Sequence, residues 1–145
     1  MSRSSKRKGA DGERELRAHL REHLGEVVER TGYQQAHRGG WDLTLPNLGV
    51  EVKRYKTIRD CDVREFWEQT SLQMQEHGVV GVLAYRQDAQ CWRFVAPHLG
   101  LNAETGNLVV VHDLDMAVTY YTRGFCAWYA RVIQPEPEDL RLKVH

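Results

Sequence analysis

The sequence lacks the features that mark several protein classes. None of its apolar runs reaches the roughly 18 residues of a membrane-spanning helix, and its polar, basic beginning has no apolar segment of a secretory signal. Its three cysteines, Cys61, Cys91 and Cys126, form neither a disulfide framework nor a CxxC zinc pair. We therefore expect a cytoplasmic chain without a membrane span, and its 145 residues fit a single domain.

Net charge is also absent, because 20 Lys and Arg balance 20 Asp and Glu. A zero net charge argues against a protein that is held on nucleic acid by a basic field alone. The balance hides a gradient, since residues 1–60 carry a charge of +4 and residues 61–145 a charge of −4. This asymmetry favours an anionic partner for the first part, although a solvated surface with a basic tail gives the same pattern.

The pattern of apolar residues predicts an α/β fold. Leu16, Leu20 and Leu24 recur at helical spacing and predict a first helix over residues 9–25. Alternating or continuous apolar segments predict the strands. The expected strands cover residues 27–28, 41–45, 50–53, 79–85, 91–95 and 108–111, and the expected later helices cover residues 63–77 and a segment after Asp113. This order predicts a mixed β-sheet flanked by helices, with a C-terminal strand and helix appendage.

Two carboxylates meet on the predicted hairpin of residues 41–53. If the turn pairs residue 46 with residue 49, Lys53 faces Asp42 and Glu51 faces Thr44, all on one face. Asp42 and Glu51 then become diagonal neighbours, about 7–8 Å apart. Two carboxylates at this spacing can hold one divalent cation, and oxygen ligands select Mg²⁺ or Mn²⁺ over zinc.

A third acid, Glu13, lies on the first helix. On a helical wheel it is centred on the stripe formed by the three leucines, which should face the core. A carboxylate there is costly unless a metal or a hydrogen-bond network compensates it. Alternatively, Glu13 lies in the first turn, where an acid suits the helix dipole and can bend out to water.

Lys53 adds a positive charge beside these acids. This combination suits hydrolysis of a phosphodiester, in which a cation polarises the phosphoryl oxygen and Lys53 orients the attacking water or stabilises the developing charge. A surface hairpin with an ordinary Asp–Lys cross-strand pair would leave the same residues in the sequence.

Together these residues resemble the PD-(D/E)XK nuclease superfamily, which has the restriction-endonuclease-like fold. More narrowly, three segments are similar to archaeal-type Holliday-junction resolvases over about residues 6–98. The segments are Lys8-Gly9-Ala10-Asp11-Gly12-Glu13-Arg14-Glu15-Leu16, Trp41-Asp42-Leu43 and Val50-Glu51-Val52-Lys53. The stretch Phe66-Trp67-Glu68-Gln69 instead resembles nuclease-fold proteins of phages and prophages.

The resemblance implies a metal-dependent DNA endonuclease that hydrolyses phosphodiester bonds, is selective for branched DNA such as four-way junctions, and acts as a homodimer. Asp42 and Glu51 would hold Mg²⁺, with Mn²⁺ as a substitute, and Glu13 would complete the metal shell. Lys53 would be the catalytic group that positions the base. Gln69 would lie near the site as a polar contact, unless it faces solvent.

The expected DNA contacts are basic side chains that touch phosphates without reading sequence. The resemblance implies Lys6, Arg7, Lys8, Arg54 and Lys56 in this role. Arg38, with its neighbour His37, could also reach phosphate, because the Gly39-Gly40 break lets the backbone approach closely.

The expected organisation is a basic arm over residues 1–8, a nuclease core over 9–98 and a C-terminal extension over 99–145 packed on the same domain. The extension carries an aromatic group that would either stack on bases or pack in the core or a dimer contact. Its members are Tyr120, Tyr121, Phe125, Trp128 and Tyr129.

Two other functions fit the sequence. One is a nuclease of different specificity, of the nicking or restriction type. The other is a catalytically silent DNA-binding module on the same fold, which the zero net charge and the unfamiliar C-terminal third favour. The complete set of Asp42, Glu51 and Lys53 argues against the silent module, because DNA binding alone does not require all three.

Overall fold

A computed structural model describes residues 3–25, 29–30 and 40–134. The first helix, α1 (Arg3–Leu24), begins six residues earlier than predicted, so residues 3–8, expected as part of a basic arm, continue the helix. Leu16 and Leu20 are fully buried, as the helical spacing predicted. The predicted strand at residues 27–28 lies outside the described residues.

A mixed β-sheet lies at the centre of the fold, which confirms the predicted α/β class. Six strands are paired in the order β1-β2-β3-β4-β5-β8. Among these six described strands, only β3 and β4 are parallel, and all other neighbours are antiparallel. The strands are β1 (Glu29–Arg30), β2 (Leu43–Leu45), β3 (Leu48–Tyr55), β4 (Gly81–Gln87), β5 (Arg93–Ala96) and β8 (Val118–Tyr120). A separate hairpin consists of β6 (His98–Leu101) and β7 (Leu108–Val111).

The crossover between the parallel strands is helix α2 (Asp60–His77). It starts before the predicted residue 63 because the Asp62 carboxylate accepts a hydrogen bond from the Arg59 backbone N–H at 2.9 Å and caps the helix. It ends at Gly78, whose left-handed backbone (φ 65°) matches the predicted stop.

The helix predicted after Asp113 is wrong. Asp113 caps only a short 3₁₀ turn, Leu114–Met116. The β-branched and aromatic residues of β8 then pair with β5, which offers a free strand edge. Helix α3 (Thr122–Trp128) follows, and its Phe125 stacks on Phe94 with ring centroids 4.3 Å apart.

The sheet separates two apolar cores. We call the side covered by α1 and α3 the α1/α3 face; its buried residues are Leu16, Leu20, Leu43, Leu45, Leu48, Val50, Val52, Val82, Ala84, Trp92, Phe94, Ala96, Phe125 and Tyr129. We call the other side the α2 face; its buried apolar residues are Trp41, Trp67, Met74, Leu83 and Val95. Strand β4 contributes Val82 to one core and Leu83 to the other, so it is covered on both faces as predicted.

The C-terminal aromatic residues support the packing interpretation rather than base stacking. Phe125 and Tyr129 are buried, and the Tyr129 hydroxyl donates to the Pro46 carbonyl at 2.8 Å. Tyr120 and Trp128 pack against the same core. Tyr121 is the exception, since its side chain is 62% exposed.

The hairpin forms, but with a different register from the predicted one. Leu45 pairs with Leu48 across a two-residue turn, in which Asn47 adopts φ 64°. Because the register differs by two residues, the prediction of which side chains share a face is still correct. The opposing pairs change: one step beyond the Leu43–Val50 pair, Asp42 reaches the position opposite Glu51, and Lys53 no longer faces it.

Within the part of the chain that the structure describes, no helix combines the length and apolar character needed to cross a bilayer.

Candidate active site

The residue before the first carboxylate is fixed by two glycines. Gly49 of β3 and Gly81 of β4 are paired side by side, and the indole of Trp41 lies over both. A Cβ atom at either glycine would overlap the ring. We call the space that the indole occupies the slot of Trp41; it requires glycine on both strands. Trp41 is 4% exposed, and this burial anchors the backbone from which Asp42 projects.

Asp42 and Glu51 lie together on the α2 face. Asp42 accepts a hydrogen bond from the Val52 backbone N–H to its Oδ2 at 2.8 Å, which directs its carboxylate at β3. Glu51 projects from the middle of β3, beside Leu83 of β4, and is only 6% exposed. The strand alternation that buries Val50 and Val52 on the opposite face therefore forces this acid into the interior.

Helix α1 brings the third acid to the same place. It crosses β3 so closely at Gly12 that a Cβ there would lie 2.7 Å from Arg54 Cβ. The next residue, Glu13, is half-buried and interacts with both Asp42 and Glu51. The structure thus brings together all three acids that the sequence analysis selected.

The electrostatics of this cluster are unfavourable for the acids alone. Burial, and after it the charge of Asp42, raises the pKa of Glu51 from 4.5 to about 8. Burial also raises the pKa of Asp42, against the opposing hydrogen bond from Val52 and the charge of Lys53. Burial therefore disfavours the ionised form of both carboxyls, and the charge of Asp42 further disfavours that of Glu51.

The donor set fits a divalent cation. Glu51 Oε1 is buried and has no hydrogen-bond partner among the residues that the structure describes. Three carboxylates with an open acceptor atom are hard oxygen ligands of the kind that Mg²⁺ and Mn²⁺ prefer. A bound cation would favour the ionised form of both carboxyls and so oppose the effect of burial on their pKa values, together with that of the Asp42 charge on the pKa of Glu51.

Lys53 lies on the same face as Glu51, two residues further along β3. Its charge lowers the pKa of both buried carboxyls, although burial outweighs it. The ammonium group lies 5.2 Å from the centroid of the Phe66 ring on α2. Phe66 in turn stacks on Tyr55 at 5.5 Å, so two aromatic rings border the lysine.

The glutamine of α2 at the site is Gln73 rather than Gln69. Gln69 is exposed, whereas the Gln73 side chain hydrogen-bonds to Glu51 and lowers its pKa. The sequence held a signal for this, because Gln73 lies within about 20° of the inward-facing Phe66 on a helical wheel. The exposure of Gln69 agrees with the alternative in which this residue faces solvent.

The predicted DNA contacts have different surroundings. The backbone of Lys6, Arg7 and Lys8 belongs to α1, and Arg38 with His37 lies outside the described residues. Arg54 is engaged within the protein, since it pairs with Glu15 (Nε to Oε2, 3.4 Å) and with Asp88. Lys56, just after β3, is exposed.

Sequence reasoning missed a row of side chains beside Lys53. Lys53 pairs with Tyr85 of β4, which pairs with Arg93 of β5, so the three share the α2 face. Arg93 hydrogen-bonds to Tyr85 and lies over the ring of Tyr121, 6.0 Å from its centroid. The period-two pattern of each strand placed these residues on a face, but only the strand pairing aligns them.

The chain is similar in sequence to a known protein family and in structure to known proteins. The family model described as "Phage putative PDDEXK endonuclease" matches residues 4–124. Among solved structures, the chain is similar to Hjc, a Holliday junction resolvase from the archaeal hyperthermophile Archaeoglobus fulgidus; identity is 20%, the alignment covers 83% of this chain and 96% of that one, and the TM-score is 0.47. A search of curated proteins gave no match. Because the family model spans most of the sequence, the chain belongs to this PDDEXK endonuclease family.

Proposed function

We propose that this protein is a metal-dependent DNA endonuclease that hydrolyses phosphodiester bonds, preferentially in branched DNA. The observation that carries the proposal is the convergence of Glu13, Asp42 and Glu51 beside Lys53, with a buried oxygen on Glu51 that has no hydrogen-bond partner within the described part of the chain. A protein that only bound DNA would avoid the cost of burying these acids.

Asp42, Glu51 and Glu13 would hold Mg²⁺, for which Mn²⁺ can substitute. When bound, the cation supplies positive charge that stabilises the charge developing on the phosphoryl group. The side chains of the protein position the reacting groups. Gln73 holds Glu51 by a hydrogen bond, and Lys53 donates hydrogen bonds that orient the attacking water or stabilise the developing charge.

The DNA would run across the α2 face from Lys53 towards Tyr121. Arg93 supplies a charge for phosphate on this path, and the exposed rings of Tyr121 (62%) and Tyr55 (42%) offer platforms for unpaired bases. Unpaired or unstacked bases occur at branch points, which supports selectivity for branched DNA. Lys6, Arg7, Lys8, Arg38 and Lys56 would add phosphate contacts, while Arg54 first has to leave its carboxylate partners.

A homodimer would place two such sites on one branched substrate. Hairpin β6–β7 exposes the apolar side chains of Leu101, Leu108 and Val109, which could form the contact between two copies. We also propose a cytoplasmic location, which the free cysteines Cys61, Cys91 and Cys126 favour. The mass of the protein in solution, measured by light scattering, tests the dimer.

The decisive experiment offers four-way junction, flap, nicked and linear duplex DNA of the same sequence, with Mg²⁺, Mn²⁺ or EDTA. We expect cleavage with either metal, none with EDTA, and the fastest cleavage on the branched substrates. Glu51→Gln is expected to lower the rate at least about 100-fold while DNA binding persists. Glu76→Gln, which changes an exposed glutamate of α2, is the matched control and should cut normally.

The possible outcomes separate the alternatives. Equal cleavage of linear and branched DNA would replace branch selectivity with a nicking or restriction-type specificity. DNA binding without cleavage under any metal would leave the silent DNA-binding module. Cleavage at an unchanged rate in Glu51→Gln would show that this carboxylate cluster does not take part in the reaction.

A further inference from the structure

A second group of potential metal ligands lies on α1, outside the carboxylate cluster. His19, Glu22 and His23 each offer one ligand atom, and these three atoms lie within 4.8 Å of one another. His19 follows Glu13 by six residues, which is about 9 Å along the helix axis. Residues at i and i+4 share one side of a helix, so both imidazoles project in the same direction.

The hydrogen bonds of the two histidines favour ligand-ready tautomers. His23 Nδ1 lies 3.1 Å from the His19 carbonyl oxygen, which can only accept, so Nδ1 carries a proton and Nε2 is the nitrogen with the lone pair in the neutral ring. His19 Nε2 contacts the Thr122 hydroxyl at 2.7 Å. The other ring nitrogen, Nδ1, is therefore the one that can bind a metal. Metal-binding histidines commonly donate their second ring N–H in this way.

The two histidines of the group line a pocket of about 600 Å³ between α1, the turn after β4 and the start of α3. The residues that line it include His19, His23, Cys91, Thr122 and Arg123. Two cations face the pocket, but Arg86 is paired with Glu15, so one carboxylate already offsets it. The open pocket leaves room for water to complete a coordination shell.

We propose that His19, His23 and Glu22 bind one divalent transition-metal ion of the zinc type. Two imidazoles and one carboxylate are a zinc donor set, and nitrogen ligands separate it from the oxygen-only cluster that suits Mg²⁺. Bonds of about 2.1 Å require ligand atoms about 3.4 Å apart. The exposed side chains of Glu22 and His23 can rotate to reach that spacing.

The test is calorimetric titration of the full chain with ZnCl₂, in a background of Glu51→Gln, Cys61→Ser and Cys91→Ser. This background weakens the carboxylate cluster and removes the two exposed thiols, both of which could take up zinc. We expect one zinc per chain. His23→Ala should weaken its affinity at least about tenfold, Glu22→Gln should weaken it less, and both variants should stay folded because the two side chains are exposed.

His77→Ala is the matched control, since His77 is an exposed histidine at the end of α2. Zinc affinity should be unchanged in this variant, and zinc should raise the Tm of the control but not that of His23→Ala. Equal affinity in His23→Ala and His77→Ala, or no saturable binding in the background protein, would overturn the proposal. Neither outcome depends on DNA cleavage, so this site and the nuclease proposal can fail separately.

Discussion

Strand β3 presents opposite chemistries to its two sides. Val50 and Val52 join an apolar core on the α1/α3 face, where the buried residues are all apolar or aromatic. Glu51, between them, is buried on the α2 face, and helix α2 on that side buries two further polar residues, Thr70 and Ser71. The α1/α3 face is therefore buried by apolar contacts, whereas the α2 face combines its own apolar core with an acid whose burial costs stability. This contrast teaches that the acids can be buried because a well-packed core lies one side chain away.

The largest loss of stability should follow from truncating a large buried side chain on the α1/α3 face. Phe125→Ala should lower the free energy of unfolding by about 3–5 kcal/mol, because Phe125 is fully buried and stacked on Phe94. Urea denaturation measures this loss. Tyr121→Ala, which changes an exposed aromatic residue of the same region, should cost less than about 1 kcal/mol. A similar cost for both changes would mean that α3 does not anchor this core.

A smaller effect should follow from filling the slot of Trp41 on the α2 face. Gly81→Ala should cost about 1–3 kcal/mol, because the new methyl group overlaps the indole, and should also weaken Mn²⁺ binding by moving Asp42. The measurements are urea denaturation and Mn²⁺ titration. Gly100→Ala is the control, since nothing lies within 4 Å of a Cβ at this strand position. Unchanged Mn²⁺ affinity in Gly81→Ala would show that Trp41 does not position Asp42 for metal binding.

The buried acid should also give the metal-free protein a distinct pH dependence. Below its ordinary pKa of 4.5, Glu51 is protonated in both the folded and unfolded states; between 4.5 and about 8 only the unfolded state ionises, so stability falls as pH rises. Glu51→Gln should remove this loss and raise the Tm in EDTA at pH 8 by about 3–6 °C, or about 1–2 kcal/mol.

Thermal melts in EDTA from pH 4.5 to 8.5 test the sign. The Tm difference between Glu51→Gln and the natural chain should grow with pH, whereas Glu76→Gln should follow the natural chain throughout. A difference that shrinks towards pH 8 would contradict the buried, repelled carboxyl.

The smallest effect should distinguish two glutamines of α2. Gln73→Ala should slow cleavage about tenfold, because Glu51 loses the hydrogen bond that holds it, whereas Gln69→Ala should leave the rate unchanged. Single-turnover cleavage at saturating metal makes the comparison. Equal rates in the two variants would show that Gln73 does not position the acid.

Periodicity in the sequence was sufficient to predict the faces of the elements. The spacing of Leu16 and Leu20 and the alternation around Glu51 predicted which sides are buried, and a two-residue register error left those faces unchanged. The opposing pairs could not be predicted, because they depend on whether the two-residue turn consists of residues 46–47, as observed, or of residues 47–48. Gln73 and Arg93 were missed for a related reason: their neighbours come from strands and helices that are distant in sequence.

The slot for Trp41 also has a consequence for how the molecule assembles. Its two glycines belong to β3 and β4, which come together only after the chain of α2 has crossed the sheet. The hairpin of β2 and β3 can close locally, but such non-local pairing of parallel strands is slow. The indole, and with it Asp42, therefore reaches its final position late in folding. A chain emerging from the ribosome would carry the acids in its sequence long before it could use them together.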